Sequence, residues 1–78
     1  MDIETRLRKV FTEALDLGGD VDVDALTYRG IEAWDSVGHM SLVAAIEDEF
    51  DIELGTDQVI DLASFQVART LVAELASA

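Results

Sequence analysis

One hydroxyl in this chain stands where its neighbours could give it chemistry. Ser36 lies in the run Trp34-Asp35-Ser36-Val37-Gly38-His39-Met40, which opens an apolar-periodic segment with Asp35 or Ser36 at the N-cap. A hydroxyl at a helix N-terminus is well placed to carry a phosphoester, because unpaired N–H groups and the positive dipole end favour a nearby phosphate. An ordinary cap is the better explanation of Asp35-Ser36 when the pair is taken alone. Hydrolysis would require a base beside Ser36. His39, the single histidine, falls on the apolar arc of the same segment and is expected to be a packed or rim residue. Asp20-Val21-Asp22-Val23-Asp24 imitates the opening of a calcium loop. Counting from Asp20, however, Ala25 and Ile31 occupy the positions that need glycine and a bidentate Glu. No catalytic group and no metal site is expected.

The elements that must position Ser36 can be read from periodicity. Residues 3–17 form an amphipathic helix with Ile3, Leu7, Val10, Phe11, Ala14 and Leu15 on one stripe, Asp2 as cap and Gly18-Gly19 as stop. Residues 18–35 show no sustained period. They read as an ordered loop pinned by Leu26, Tyr28, Ile31 and Trp34, since the strand-like Val21 and Val23 have nothing to pair with. A second helix covers residues 36–50, followed by an extended exit to Gly55. A short third helix runs from Asp57 to Leu62 with Thr56 as cap. A fourth runs from Phe65 to Ala76, capped by Ser64, with Ala68, Leu71, Val72 and Leu75 inward. The expected fold is all-α: one domain spanning residues 1–78, a small bundle of three long helices and one short helix, with a long first loop.

Charge narrows the function classes. Of 78 residues, 17 are acidic and 5 basic, leaving a formal charge of −12. That field repels phosphate backbones and anionic lipid, which argues against nucleic-acid and membrane binding. Half the residues are hydrophobic, so the chain is expected to fold rather than remain disordered. With no cysteine, thiolate metal sites and cysteine nucleophiles are excluded. No basic leader is recognisable, so a cytoplasmic monomer is expected. Repulsion among Glu47, Asp48, Glu49, Asp51 and Glu53 is expected to raise the pKa values of the most crowded acids, so that mild acidification and divalent cations favour folding.

The second helix has two faces when wound at helical period. Leu42, Val43, Ile46 and Phe50 share the core arc. Val37, Met40 and Ala44 lie opposite, among Ser41, Glu47, Asp48 and Asp51. Between Gly30 and Ala68 there is no Lys or Arg. Scattered exposed apolar residues are common, but apolar contact points within one-signed charge fit a docking surface for basic partners.

Asp35-Ser36-Val37, continuing through Leu42-Val43-Ala44-Ala45-Ile46-Glu47-Asp48-Glu49-Phe50-Asp51-Ile52, resembles the signature of the acyl carrier protein family, and the match covers essentially the whole chain. The resemblance implies a non-catalytic carrier with 4′-phosphopantetheine, derived from coenzyme A, attached to Ser36 by a phosphopantetheinyl transferase. It places Asp35 in recognition by the transferase. Val37, Met40, Ala44, Glu47 and Asp48 would face partner enzymes, namely acyl-loading, condensing and tailoring enzymes with basic docking patches. Val37 replaces the more usual leucine, and Ser41 stands where many fatty-acid carriers have an acid. Trp34 and Gly38-His39-Met40 look more like discrete carriers of polyketide or related specialised pathways. A peptidyl carrier and an unmodified acidic interaction module remain the alternatives.

Overall fold

The computed structural model describes residues 2–76. Four α-helices follow one another: α1 (Ile3–Ala14), α2 (Ser36–Phe50), α3 (Thr56–Asp61) and α4 (Phe65–Ala76). A single 3₁₀ turn, Val23–Ala25, interrupts the long loop between α1 and α2. The core is continuous. Leu7, Val10, Phe11 and Leu15 from α1 meet Leu42, Val43, Ile46 and Phe50 from α2, Phe65, Ala68 and Val72 from α4, and Leu26, Trp34 and Leu62 from the connections. On α4, Leu71 is half-buried and packs against this core; Leu75, expected inward, is half-buried without joining it.

Helix starts follow their side chains. Asp2 accepts from the Thr5 N–H at 2.8 Å, and Ser64 Oγ accepts from the Val67 N–H at 3.1 Å. At α3 the boundary moves by one residue. Gly55, not Thr56, is the N-cap, and its N–H donates to Gln58 Oε1 at 2.7 Å.

The expected ends of α2 and α4 hold, α3 ends at Asp61 and not Leu62, and the end of α1 needs a larger correction. α1 stops at Ala14, three residues before the expected end and well before Gly18-Gly19. Asp16 takes the left-handed conformation at φ 52°, and the Leu17 N–H reaches back to Thr12 O at 3.0 Å. α2 ends the same way: Asp51 sits at φ 54° and the Ile52 N–H bonds Glu47 O at 3.2 Å. Both are six-to-one closures in which aspartate takes the place usually held by glycine, a conformation its short polar side chain tolerates.

The long loop is ordered, as expected, yet it does find a pairing partner. Thr27 and Ser64 form one antiparallel bridge, in which Tyr28 N–H donates to Ala63 O at 2.8 Å and Phe65 N–H to Leu26 O at 3.0 Å. This bridge fastens the loop to the start of α4. Ion pairs fasten the rest. Arg6 donates to the Glu49 carboxylate at 2.9 Å and to its carbonyl at 2.7 Å, Arg8 to Asp24 at 2.8 Å, and Arg69 to Glu4 at 2.6 Å. Asp24, the last acid of the calcium-like run, therefore faces a guanidinium.

The carboxylates that the fold shifts clearly are outside the acidic stretch and move down from the ordinary 3.8. Asp2 is lowered by its hydrogen bond from Thr5, and Asp24 by its hydrogen bond from Arg8. A depressed folded pKa contributes stability that is present above the ordinary value and disappears as pH falls through the lowered one. The stability that Asp2 and Asp24 contribute should therefore be lost as pH falls below 3.8, and Asp24→Asn should flatten the decline of melting temperature over that range in a series of thermal melts.

Candidate functional site

Asp35 sets the start of α2. Its backbone is extended, its carboxylate accepts from the Gly38 N–H at 2.9 Å, and its carbonyl accepts from the His39 N–H at 2.8 Å. Ser36 is therefore the first helical residue and not the cap. Its side chain is exposed, and the helix's positive end adjoins its hydroxyl. That field favours a negative charge beside the hydroxyl.

Trp34, two residues before Ser36, anchors this end of the helix. It is fully buried, edge-on to Phe11 at 5.4 Å and to Tyr28 at 6.2 Å, and stacked on His39 at 6.2 Å. Its indole N–H can only donate, and it donates to His39 Nδ1 at 3.0 Å. His39 Nδ1 is thus an acceptor, so the neutral ring carries its proton on Nε2 and donates it to Val59 O at 2.9 Å. The histidine is a half-buried strut between the loop, α2 and α3, with both nitrogens engaged and neither directed at Ser36.

Gly38 explains how closely the loop and helix approach. A Cβ at this position would collide with the Ala33 carbonyl oxygen and press on Leu15 Cδ2 at 3.2 Å. The obstacle is backbone, which cannot rotate away.

The structure brings the expected site residues together unevenly. Val37 and Met40 are 76 % and 59 % exposed, and Asp35, Ala44 and Asp48 are exposed as well. Glu47 is different: it is half-buried, and its carboxylate accepts from the Leu54 N–H at 2.8 Å, holding the extended exit of α2 in place. Sequence reasoning missed two participants. Ile60 on α3 is 71 % exposed, beside the Val59 carbonyl that His39 holds. Tyr28 brings its hydroxyl to 3.4 Å from Ser36 Oγ. Tyr28 pins the loop as expected, with its ring packed against Trp34 and His39, and its polar tip reaches out to the serine. The phenol pKa is lowered, first by the Ser36 hydrogen bond and then by Arg29.

Among the described residues, no three His, Asp or Glu side chains are grouped to hold a metal ion, and no helix is long and apolar enough to cross a membrane.

Gly38→Ala is expected to destabilise the fold by about 1–3 kcal/mol through this collision, read as a lower urea midpoint, with loss of Trp34 burial seen in fluorescence. An unchanged midpoint would mean that the Ala33 turn yields freely.

No protein-family model matches the chain. Its structure is similar to the solution NMR structure of a holo acyl carrier protein from Geobacter metallireducens, with a TM-score of 0.83 and 23 % sequence identity, over 99 % of this chain and 88 % of that one. The four-helix arrangement around an exposed serine at the start of α2 is accordingly the acyl-carrier-protein fold, as the residues around Asp35-Ser36-Val37 imply.

Proposed function

We propose that this protein is an acyl carrier, modified on Ser36 with 4′-phosphopantetheine and not itself an enzyme. The observation that carries the reading is the exposed Ser36 hydroxyl at the N-terminus of α2, in a fold shared with a holo acyl carrier protein. The residues fit the group. The hydroxyl is open to solvent, the helix dipole favours the phosphate charge, and Asp35 caps the helix without covering Ser36. In the loading step a transferase presents coenzyme A. Ser36 Oγ attacks the phosphorus nearest the pantetheine, an Oγ–P bond forms as the diphosphate P–O bond breaks, 3′,5′-ADP leaves, and the hydroxyl proton passes to the transferase's base. Magnesium belongs to that transferase and not to this chain. When bound, the arm supplies a terminal thiol that holds an acyl group as a thioester, so the absence of cysteine from the chain is no obstacle.

His39 is not a base for Ser36, because it is engaged on both nitrogens. The role of this chain is presentation. Val37 and Met40, joined by Ile60, offer desolvable contact, and Asp48 with its acidic neighbours attracts basic enzymes. Loading, condensing and tailoring enzymes with cationic docking patches are the partners of this surface, and Asp35 assists recognition by the transferase. The Trp34 and Gly38-His39-Met40 features favour a discrete carrier of a polyketide or related pathway.

Ser36→Ala should keep its helical circular dichroism yet gain no mass when incubated with coenzyme A, Mg²⁺ and a transferase, whereas the wild-type chain gains one phosphopantetheinyl unit. Mass gain in the variant would refute the assignment. Docking is better probed at Asp48 than at Glu47, whose charge reversal would also break the bond to Leu54. Asp48→Lys is expected to weaken transferase binding roughly tenfold at low salt, in the range of close interfacial charge pairs, and the wild-type affinity should itself fall with added salt.

A further inference from the structure

We infer that Tyr28 and Arg29 form an anion clamp for the phosphodiester on Ser36, holding the base of the arm against the protein. The inference rests on the proposed attachment at Ser36 and extends it to residues of the first loop. Four of the five cations are paired with carboxylates: Arg6 with Glu49, Arg8 with Asp24 and Glu4, Lys9 with Glu13, and Arg69 with Glu4. Among the described residues, Arg29 alone has no ion pair. Its guanidinium lies 5.5 Å from the Tyr28 ring centroid, and the Tyr28 hydroxyl lies 3.4 Å from Ser36 Oγ. In a chain of formal charge −12, an exposed cation with no carboxylate partner stands within reach of the one position that would acquire a phosphate.

Modification changes what each atom can do. Unmodified Ser36 carries a hydroxyl that can donate to or accept from Tyr28. Once esterified, Oγ has lost its proton and bridges to phosphorus, and the negative charge resides on two non-bridging oxygens that are far better acceptors. The Tyr28 O–H then donates to one of these, and the planar Arg29 fork supplies charge-assisted hydrogen bonds. Two acids share a surface pocket with Arg29: Asp35, whose carboxylate already accepts from the Gly38 N–H, and Glu32; neither forms an ion pair with it. The lowered phenol pKa, set first by Ser36 and then by Arg29, agrees with this spatial order. A single pivot would thus be fixed at its root, while the pantetheine beyond the phosphate stays free to swing.

The test uses the holo protein, its modification verified by intact mass, as wild type, Tyr28→Phe, Arg29→Gln, Arg29→Lys and the Tyr28→Phe/Arg29→Gln double variant. Tyr28→Phe keeps the packed ring, and Arg29 is exposed, so the fold is retained; helical circular dichroism checks this. The readout is the ³¹P resonance of the phosphodiester at neutral pH. A clamped phosphate should give a line about 1.4-fold or more broader in wild type than in the double variant, as expected when a group passes from rigid to flexible order. The single variants should lie between, Arg29→Lys should recover part of the width, and the double variant's chemical shift should move toward that of free phosphopantetheine. Equal shift and width in wild type and double variant, with modification complete in both, would overturn the clamp and leave the carrier reading intact. Failure of the wild-type chain to gain the phosphopantetheinyl mass would overturn both.

Discussion

Burial of one indole organises the molecule. Trp34 is completely enclosed, and an enclosed N–H without an acceptor would cost about 1–3 kcal/mol. His39 Nδ1 meets that need, and doing so fixes the ring's tautomer and leaves Nε2–H for the Val59 carbonyl. One hydrogen-bonded relay therefore joins the long loop, α2 and α3. It matters most for α3, which has six residues and buries none of them fully. Edge contacts from Phe11 and Tyr28 complete the enclosure and bring α1 into the same arrangement.

The serine inherits its position from this cluster. Trp34 is locked, Asp35 caps the helix, and Gly38 lets the helix lie against the Ala33 carbonyl. Ser36 stands between these constraints with its own side chain exposed. The backbone at the attachment point is thus determined on both sides, and the hydroxyl remains open to a partner. A group attached there, as proposed for Ser36, would start from a fixed root, and the reach of a tether depends on where it begins as well as on its length.

Much of this was legible in the sequence, for identifiable reasons. α1, α2 and α4 announce themselves because each buries one stripe at helical period, and caps at Asp2, Asp35 and Ser64 have the expected chemistry. The ends of α2 and α4 were legible too, but the end of α1 and the way the ends close were not. The glycines after α1 suggested a stop, whereas the stops are Asp16 and Asp51 in left-handed conformation, a choice that depends on burying the flanking apolar residues. Glu47 looked like a docking acid, but the chain turns back beyond Asp51 and brings the Leu54 N–H to it. Tyr28 could be recognised as an apolar pin. Its meeting with Ser36 depends on the loop's path, in which the Arg29 N–H bonds Trp34 O, and no local pattern encodes that path.

The distribution of ion pairs has a consequence for motion before contact. The cations of α1 and α4 are matched by carboxylates within the fold, whereas the stretch from Gly30 to Ala68, which contains α2 and α3, has acids and no cation. Such an arrangement is an electric dipole as well as a net charge. In the field of a cationic surface the molecule experiences a torque, and rotational diffusion becomes biased so that the acids of α2 and α3 turn toward that surface. Random encounters are slow chiefly because most collisions occur in the wrong orientation. A dipole that aligns the molecule before contact removes part of that obstacle without adding to the strength of the final grip.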